Sequence, residues 1–209
     1  MGKKSDRRWT GMVRLGISVE GSTEVRFIQM LLQPYFANKN IFITPVSMRG
    51  NVSIDRAIHE IKKLMYSFDY VSTFYDFYGF KGLRKDDDTK EGLEKRLIHS
   101  ISETMQDKLI PYIQMHEFEG LLFSSPADMA LILQNDAIEN WAENILRTFN
   151  GDPELINNSS QTAPSKRLMV TPYRKVTHGP DIALKIGLKV ISEKCSGFNK
   201  WIKQLEALY

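Results

Sequence analysis

The sequence predicts a single α/β domain: a mainly parallel sheet of four strands flanked by helices, with a helical C-terminal extension. Three observations lead there. Short branched or alternating runs are separated by helical patterns of about a dozen residues through residue 120 or so. No linker or repeat divides the 209 residues. The apolar share of 42% and charged share of 25% are those of an ordinary globular chain. Strands that alternate with helices of this length imply parallel pairing through crossovers.

Residues 13–20 alternate and carry branched side chains, which predicts the first strand. Gly21 and Ser22 then turn the chain, with Ser22 or Thr23 as N-cap of a helix over 24–36, which Pro34 frays or kinks. Residues 41–48 form the second strand. A second helix starts at 51–53 and presents Ile54, Ala57, Ile58, Ile61, Leu64 and Met65 on one face. The third strand covers 70–75, a polar loop covers 81–90, and a third helix covers 89–106. The fourth strand covers 109–115. The remainder reads as helices over 126–133, 136–149, 181–186, 189–193 and 198–208, with a surface loop over 150–165 rich in Asn, Gly, Pro and Ser. Trp141, Phe198 and Trp201 fall at helical spacings and are expected in the core. Residues 13–125 are taken as the core of the domain and 126–209 as its helical part.

No run approaches the roughly 20 apolar residues of a membrane span. Residues 1–12 read as a flexible basic arm carrying Lys3, Lys4, Arg7 and Arg8. They lack the apolar segment of a signal peptide, and Asp6 spoils a myristoylation site. Cys195 is the one cysteine. It excludes an internal disulfide and predicts a reducing, cytoplasmic setting. With four histidines (His59, His99, His116 and His178) beside it, a structural zinc site is not expected. The net charge of +3 is too small to announce nucleic-acid binding, but Lys166, Arg167, Arg174 and Lys175 concentrate late in the chain.

Ligands of open parallel sheets bind beyond the carboxyl ends of the strands. Those ends carry Glu20 after the first strand, Asp76 after the third, and Glu117 with Glu119 after the fourth. In an extended segment the last two share a face. Clustered carboxylates repel one another unless a cation neutralises them, and Mg²⁺ suits oxygen ligands. Glu24, in the first helical turn, also complements the helix dipole and is at most an accessory member. Tyr75, Phe77, Tyr78 and Phe80 offer rings for base stacking or, more simply, for packing the strand end.

Val19-Glu20-Gly21-Ser22-Thr23-Glu24 and the strand-end Asp76 resemble the Toprim fold of topoisomerases, primases, recombination-mediator proteins, small maturation ribonucleases and overcoming-lysogenization-defect nucleases. Further segments are similar to the uncharacterised bacterial Toprim-like family called domain of unknown function 4276: Tyr75-Asp76-Phe77-Tyr78-Gly79, the stretch from Gln114 to Phe123, Ala163-Pro164-Ser165-Lys166-Arg167 and His178-Gly179-Pro180. The resemblance covers nearly the whole chain. It implies that Glu20 is a general acid/base or metal ligand and that Asp76 is the first acid of a Mg²⁺-binding Asp-x-Asp. Tyr78 stands where the second acid belongs, so Glu117 or Glu119 is the topological substitute.

The expectation is therefore a Mg²⁺- or Mn²⁺-dependent nuclease or phosphodiesterase, acting on nucleic acid in bacterial anti-phage defence. Glu20, Asp76, Lys166 and His178 would be catalytic; Glu20, Asp76, Glu117 and Glu119 would hold metal. Lys166, Arg167, Arg174 and Lys175 would bind phosphate, with Glu24 and Tyr78 accessory. The alternative is a non-catalytic nucleic-acid- or phosphate-binding subunit that partners a separate ATPase, because similar proteins are often encoded beside ATPases. The chain itself has no phosphate-binding loop of ATPase type. A Rossmann dinucleotide enzyme is excluded: Glu20-Gly21-Ser22-Thr23-Glu24 replaces the glycine-rich turn, and its acids repel a pyrophosphate.

Overall fold

A computed structural model describes residues 11–83, 88–157 and 162–209. The expected basic arm therefore lies almost wholly outside the described residues, as do parts of the loops expected over 81–90 and 150–165. The strands are β1 (Val13–Val19), β2 (Ile41–Ser47), β3 (Tyr70–Asp76), β4 (Leu109–Ile110) and β5 (Ile113–Gln114). They form a parallel sheet in the order β2-β1-β3-β4, with β5 also pairing β3. Because β1 and β3 are central, their ends deliver side chains to the middle of the carboxyl edge.

Alternation along β1 splits the core into two layers. Val13, Leu15, Ile17 and Val19 face a cluster that contains the first helix and the C-terminal helices. Across the sheet, Val71, Tyr75 and Ile113 pack with α3 (Ile54–Leu64) and α4 (Lys90–His99). Gly16 is required on this second side: a Cβ there would lie 2.6 Å from the Phe68 ring. The helical part after residue 126 thus shares one apolar core with the sheet.

The segment expected as a surface loop over 150–165 contains a 3₁₀ turn at Pro153–Leu155 and the start of a helix at Pro164–Leu168, and it buries Ile156 and Ala163. Four further elements differ from the sequence expectation, each for a local reason. The first helix is α1 (Ser22–Phe27), a wide π turn at Ile28–Leu32 and α2 (Gln33–Ala37), with Gly21 as N-cap. The π turn accommodates Pro34, which has no N–H to donate and whose ring obstructs an ordinary α turn. The third helix stops at His99, where the Ser100 hydroxyl donates to the Leu97 carbonyl, and a separate 3₁₀ turn follows at Glu103–Lys108. The fourth strand is broken into β4 and β5 because Pro111 cannot join the ladder. The Thr73 hydroxyl bridges the gap, accepting from Tyr112 N and donating to Tyr112 O, both at 2.9 Å.

The fourth difference matters most. The helix expected at 181–186 is α8 (Lys175–Ile186), and it contains Pro180. Pro180 leaves the Val176 carbonyl without its helical donor, and the Arg26 guanidinium of α1 takes that place at 2.7 Å. Arg26 also pairs with Asp181 at 3.3 Å. This clasp permits a helix to run through the His178-Gly179-Pro180 segment and holds α8 against α1. Gly179 allows close packing, since a Cβ there would meet the Tyr173 hydroxyl at 2.8 Å and the Phe118 ring at 3.0 Å. The other C-terminal helices are α5 (Pro126–Leu133), α6 (Ala137–Thr148), α7 (Pro164–Leu168), α9 (Leu188–Lys194) and α10 (Ser196–Glu206).

Candidate active site

Asp76 ends β3 on the face that carries Phe74, under α8. It is 5% exposed, and its Oδ1 accepts the Phe118 N–H at 2.8 Å. Glu119 lies on the 3₁₀ turn Phe118–Ser124 and is fully buried. Glu24, 3% exposed, reaches back to accept the Gly21 N–H at 2.8 Å and so closes the start of α1. Glu20, just past β1, is half-buried, and its carboxylate rests on Gly79, where a Cβ would collide with Oε2.

One cation sits among these acids. Lys175 Nζ lies 3.4 Å from Glu119 Oε1, 3.6 Å from Asp76 Oδ2 and 4.0 Å from Glu24 Oε1. Its side chain is 42% exposed, so the aliphatic stem has a route to solvent. Tyr173 adds a hydroxyl 3.4 Å from Glu119 Oε1.

The electrostatics record an excess of negative charge. Burial, opposed by Lys175 and reinforced by Glu24, Glu119 and Glu20, holds the Asp76 carboxyl well above its ordinary value. Glu119 is raised by burial, against the pull of Lys175. Glu20 is raised by burial and by Glu24, again with Lys175 opposing. Burial alone would depress the Lys175 ammonium, but Asp76, Glu119, Glu24 and Glu20 more than reverse that and keep it protonated.

The expected site residues separate into those gathered here and those used elsewhere. Glu20, Asp76 and Glu119 converge, and Glu24 joins them as a full member. Glu117 does not share Glu119's surroundings: the extended segment ends at Glu117 and a 3₁₀ turn begins. Its two oxygens accept the Ser165 N–H at 2.8 Å and the Ser165 hydroxyl at 2.9 Å, which fastens α7 to the sheet edge. Lys175, expected to grip phosphate, is instead the ammonium among the acids. Arg167 donates to the Thr162 carbonyl at 2.8 Å and covers the Phe149 ring. His178 Nδ1 accepts the Arg174 N–H at 3.1 Å, a helix-start bond that leaves the proton on Nε2. Lys166 and Arg174 are exposed. Glu24 had a sequence signal, four residues after Glu20 on the first helical turn; the placement of Lys175 depends on the clasp between Arg26 and α8.

Among the described residues, no three His, Cys, Asp or Glu side chains converge in the manner of a metal site. The nearest approach is the set around Lys175. Its donors are hard carboxylate oxygens, which match Mg²⁺ or Mn²⁺, and they outnumber the single ammonium. The oxygen donors are thus of the kind Mg²⁺ or Mn²⁺ takes, and the Lys175 ammonium lies among them.

Fold and site together define an α/β protein with an acidic centre at the carboxyl edge of a parallel sheet. The chain belongs to the family described as Domain of unknown function (DUF4276), whose match spans residues 19–206. No curated protein and no solved structure is a significant match. No helix among the described residues is long and apolar enough to cross a membrane.

Proposed function

We propose that the protein is a Mg²⁺-dependent phosphodiesterase of Toprim-like type, acting on nucleic acid. The supporting observation is the gathering of Glu24, Asp76 and Glu119 within 4.0 Å of one lysine, with Glu20 close by and the carboxyl groups of Glu20, Asp76 and Glu119 raised. Glu20, Asp76 and Glu119, with Glu24 beside them, would hold the ion. A bound Mg²⁺ supplies charge neutralisation for the phosphodiester and acidity for an attacking water. Asp76 keeps its orientation through Phe118 N–H, and Glu24 through Gly21 N–H. Glu20, the least enclosed of the acids and one with a raised pKa, is suited to take a proton from water. Lys175 neutralises the acids at rest, and its partly exposed stem lets the ammonium turn toward a bound phosphate. The exposed Lys166 and Arg174 are available to backbone phosphates. A role in bacterial anti-phage defence belongs to this reading.

The test is cleavage of single-stranded and duplex DNA and RNA in Mg²⁺ or Mn²⁺ by wild type, Glu20→Gln and Asp76→Asn. Metal-dependent cleavage by wild type alone is expected; equal cleavage by all three proteins, or none by wild type, would overturn it. One observation favours a second reading. Tyr78 occupies the position of an acid and its hydroxyl is tied to Asn157, while Lys175 already supplies a cation. A phosphate- or nucleic-acid-binding subunit of an ATPase partner would show no cleavage alone and would co-purify with that ATPase.

A further inference from the structure

The four rings near the end of β3 have different fates. Tyr75 is fully buried, its hydroxyl donating to Ser18 Oγ at 2.6 Å, and Phe80 is 6% exposed against it. Tyr78 is 42% exposed, on the turn that immediately follows Asp76. An exposed tyrosine ordinarily rotates freely, but this one is held from several directions. Its ring lies 5.5 Å from the His116 ring at 34°, and 5.8 Å from Phe77. Its hydroxyl accepts from Asn157 Nδ2, and its N–H donates to the His116 carbonyl at 3.2 Å. The turn itself is fixed by Gly79 against Glu20.

His116 supports the ring at a cost to itself. Its φ is +66°, in the left-handed region that costs a non-glycine residue free energy. Its Nδ1 is buried with no hydrogen-bond partner. The imidazole held in this way lies against the Tyr78 ring. The next residue, Glu117, holds Ser165, so the exposed Lys166 belongs to the same corner.

Resting on the phosphodiesterase reading, we infer that Tyr78, backed by His116, is a stacking platform for a nucleobase beside the scissile phosphate, and that the site takes single-stranded nucleic acid. A ring fixed before binding loses little freedom when a base stacks on it. Every base has a π face, so the contact tolerates any sequence. Bases within a duplex are already stacked and paired, so a ring at this position selects strands whose bases are free. Tyr78 then exchanges a metal ligand for a contact to substrate.

The experiment is fluorescence anisotropy with a short labelled oligothymidylate, an abasic strand of equal length and a duplex, in Ca²⁺ in place of Mg²⁺. Tyr78→Ala is expected to weaken oligothymidylate binding by about 5- to 100-fold. Tyr78→Phe, which keeps the ring, should stay within about twofold of wild type, a span of under 1 kcal/mol. The abasic strand should bind wild type and Tyr78→Ala alike. A 2-aminopurine in the strand should lose fluorescence on wild type and keep it on Tyr78→Ala, a signature that mere structural support does not produce. Loss of cleavage in every protein with the Tyr78 dependence of binding intact would remove the catalytic reading and leave the platform. The platform is overturned if wild type fails to bind oligothymidylate, binds the abasic strand as tightly, or is matched by a folded Tyr78→Ala.

Discussion

The middle of β3 and its carboxyl end lie on the same face of the sheet, yet they solve the burial of polar groups in opposite ways. In the middle, Trp201, Tyr112 and Phe74 stack with centroids 4.7 to 5.8 Å apart. Each polar atom nearby has its partner: Trp201 Nε1 donates to Ser72 Oγ at 2.9 Å, and Ser72 donates in turn to the Ile110 carbonyl. At the end, three acidic side chains lie within 4.0 Å of one ammonium, with Glu20 as a fourth nearby. Packing with satisfied hydrogen bonds is what a fold needs for stability; surplus buried charge of one sign lowers stability and is retained where a ligand relieves it. The contrast separates the part of the sheet that holds the protein together from the part to which the proposed activity is assigned.

The largest expected effect breaks the stable half. Trp201→Ala removes the centre of the stack and strands Ser72, and should cost about 3–5 kcal/mol in chemical denaturation. Lys175→Met attacks the other half. It should cost about 1–3 kcal/mol at neutral pH, less than a fully buried pair because the lysine is partly exposed, and Mg²⁺ should restore part of it. The same loss with and without the ion would break the comparison.

A smaller effect sharpens it through pH. The folded-state pKa of Asp76 is raised, so the native state holds a proton that the unfolded chain releases. Stability from this group is present at low pH and is lost as pH rises above the ordinary carboxylate value of about 4, through the raised one. Asp76→Asn keeps an oxygen for Phe118 N–H and removes the titration. Its melting temperature, measured without metal, should gain on wild type as pH rises above the ordinary carboxylate value of about 4; a constant difference would show that the carboxylate is not burdened. The smallest effect concerns Glu117→Gln, which weakens the hold on Ser165. We expect a loss of about 1 kcal/mol and unchanged affinity for divalent ions, whereas Glu119→Gln should lower that affinity.

The strand ends were legible because a parallel sheet sends its carboxyl termini to one edge, and Glu20 and Asp76 follow from counting alone. The α/β class and the helix at 126–133 follow equally from local pattern. Lys175 among the acids was not legible. The sequence pattern starts α8 only at 181, after Pro180, and the carbonyl that Pro180 leaves free is taken by Arg26, some 150 residues earlier in the chain. The parting of Glu117 from Glu119 was hidden for a similar reason. Alternation predicts a shared face only while the backbone stays extended, and the chain coils at Phe118, whose N–H is drawn to Asp76. Tyr78 presents a further case: an aromatic-rich strand end announces packing, and only tertiary structure distinguishes the one exposed, braced ring from its buried neighbours.

The most direct measurement is a calorimetric titration of Mn²⁺ into wild type, Asp76→Asn and Glu119→Gln at neutral pH. Saturable binding by wild type that both substitutions weaken at least tenfold, or about 1.4 kcal/mol, is the predicted result. An absence of saturable binding, or equal affinity in all three proteins, would show that Lys175 alone satisfies the acids.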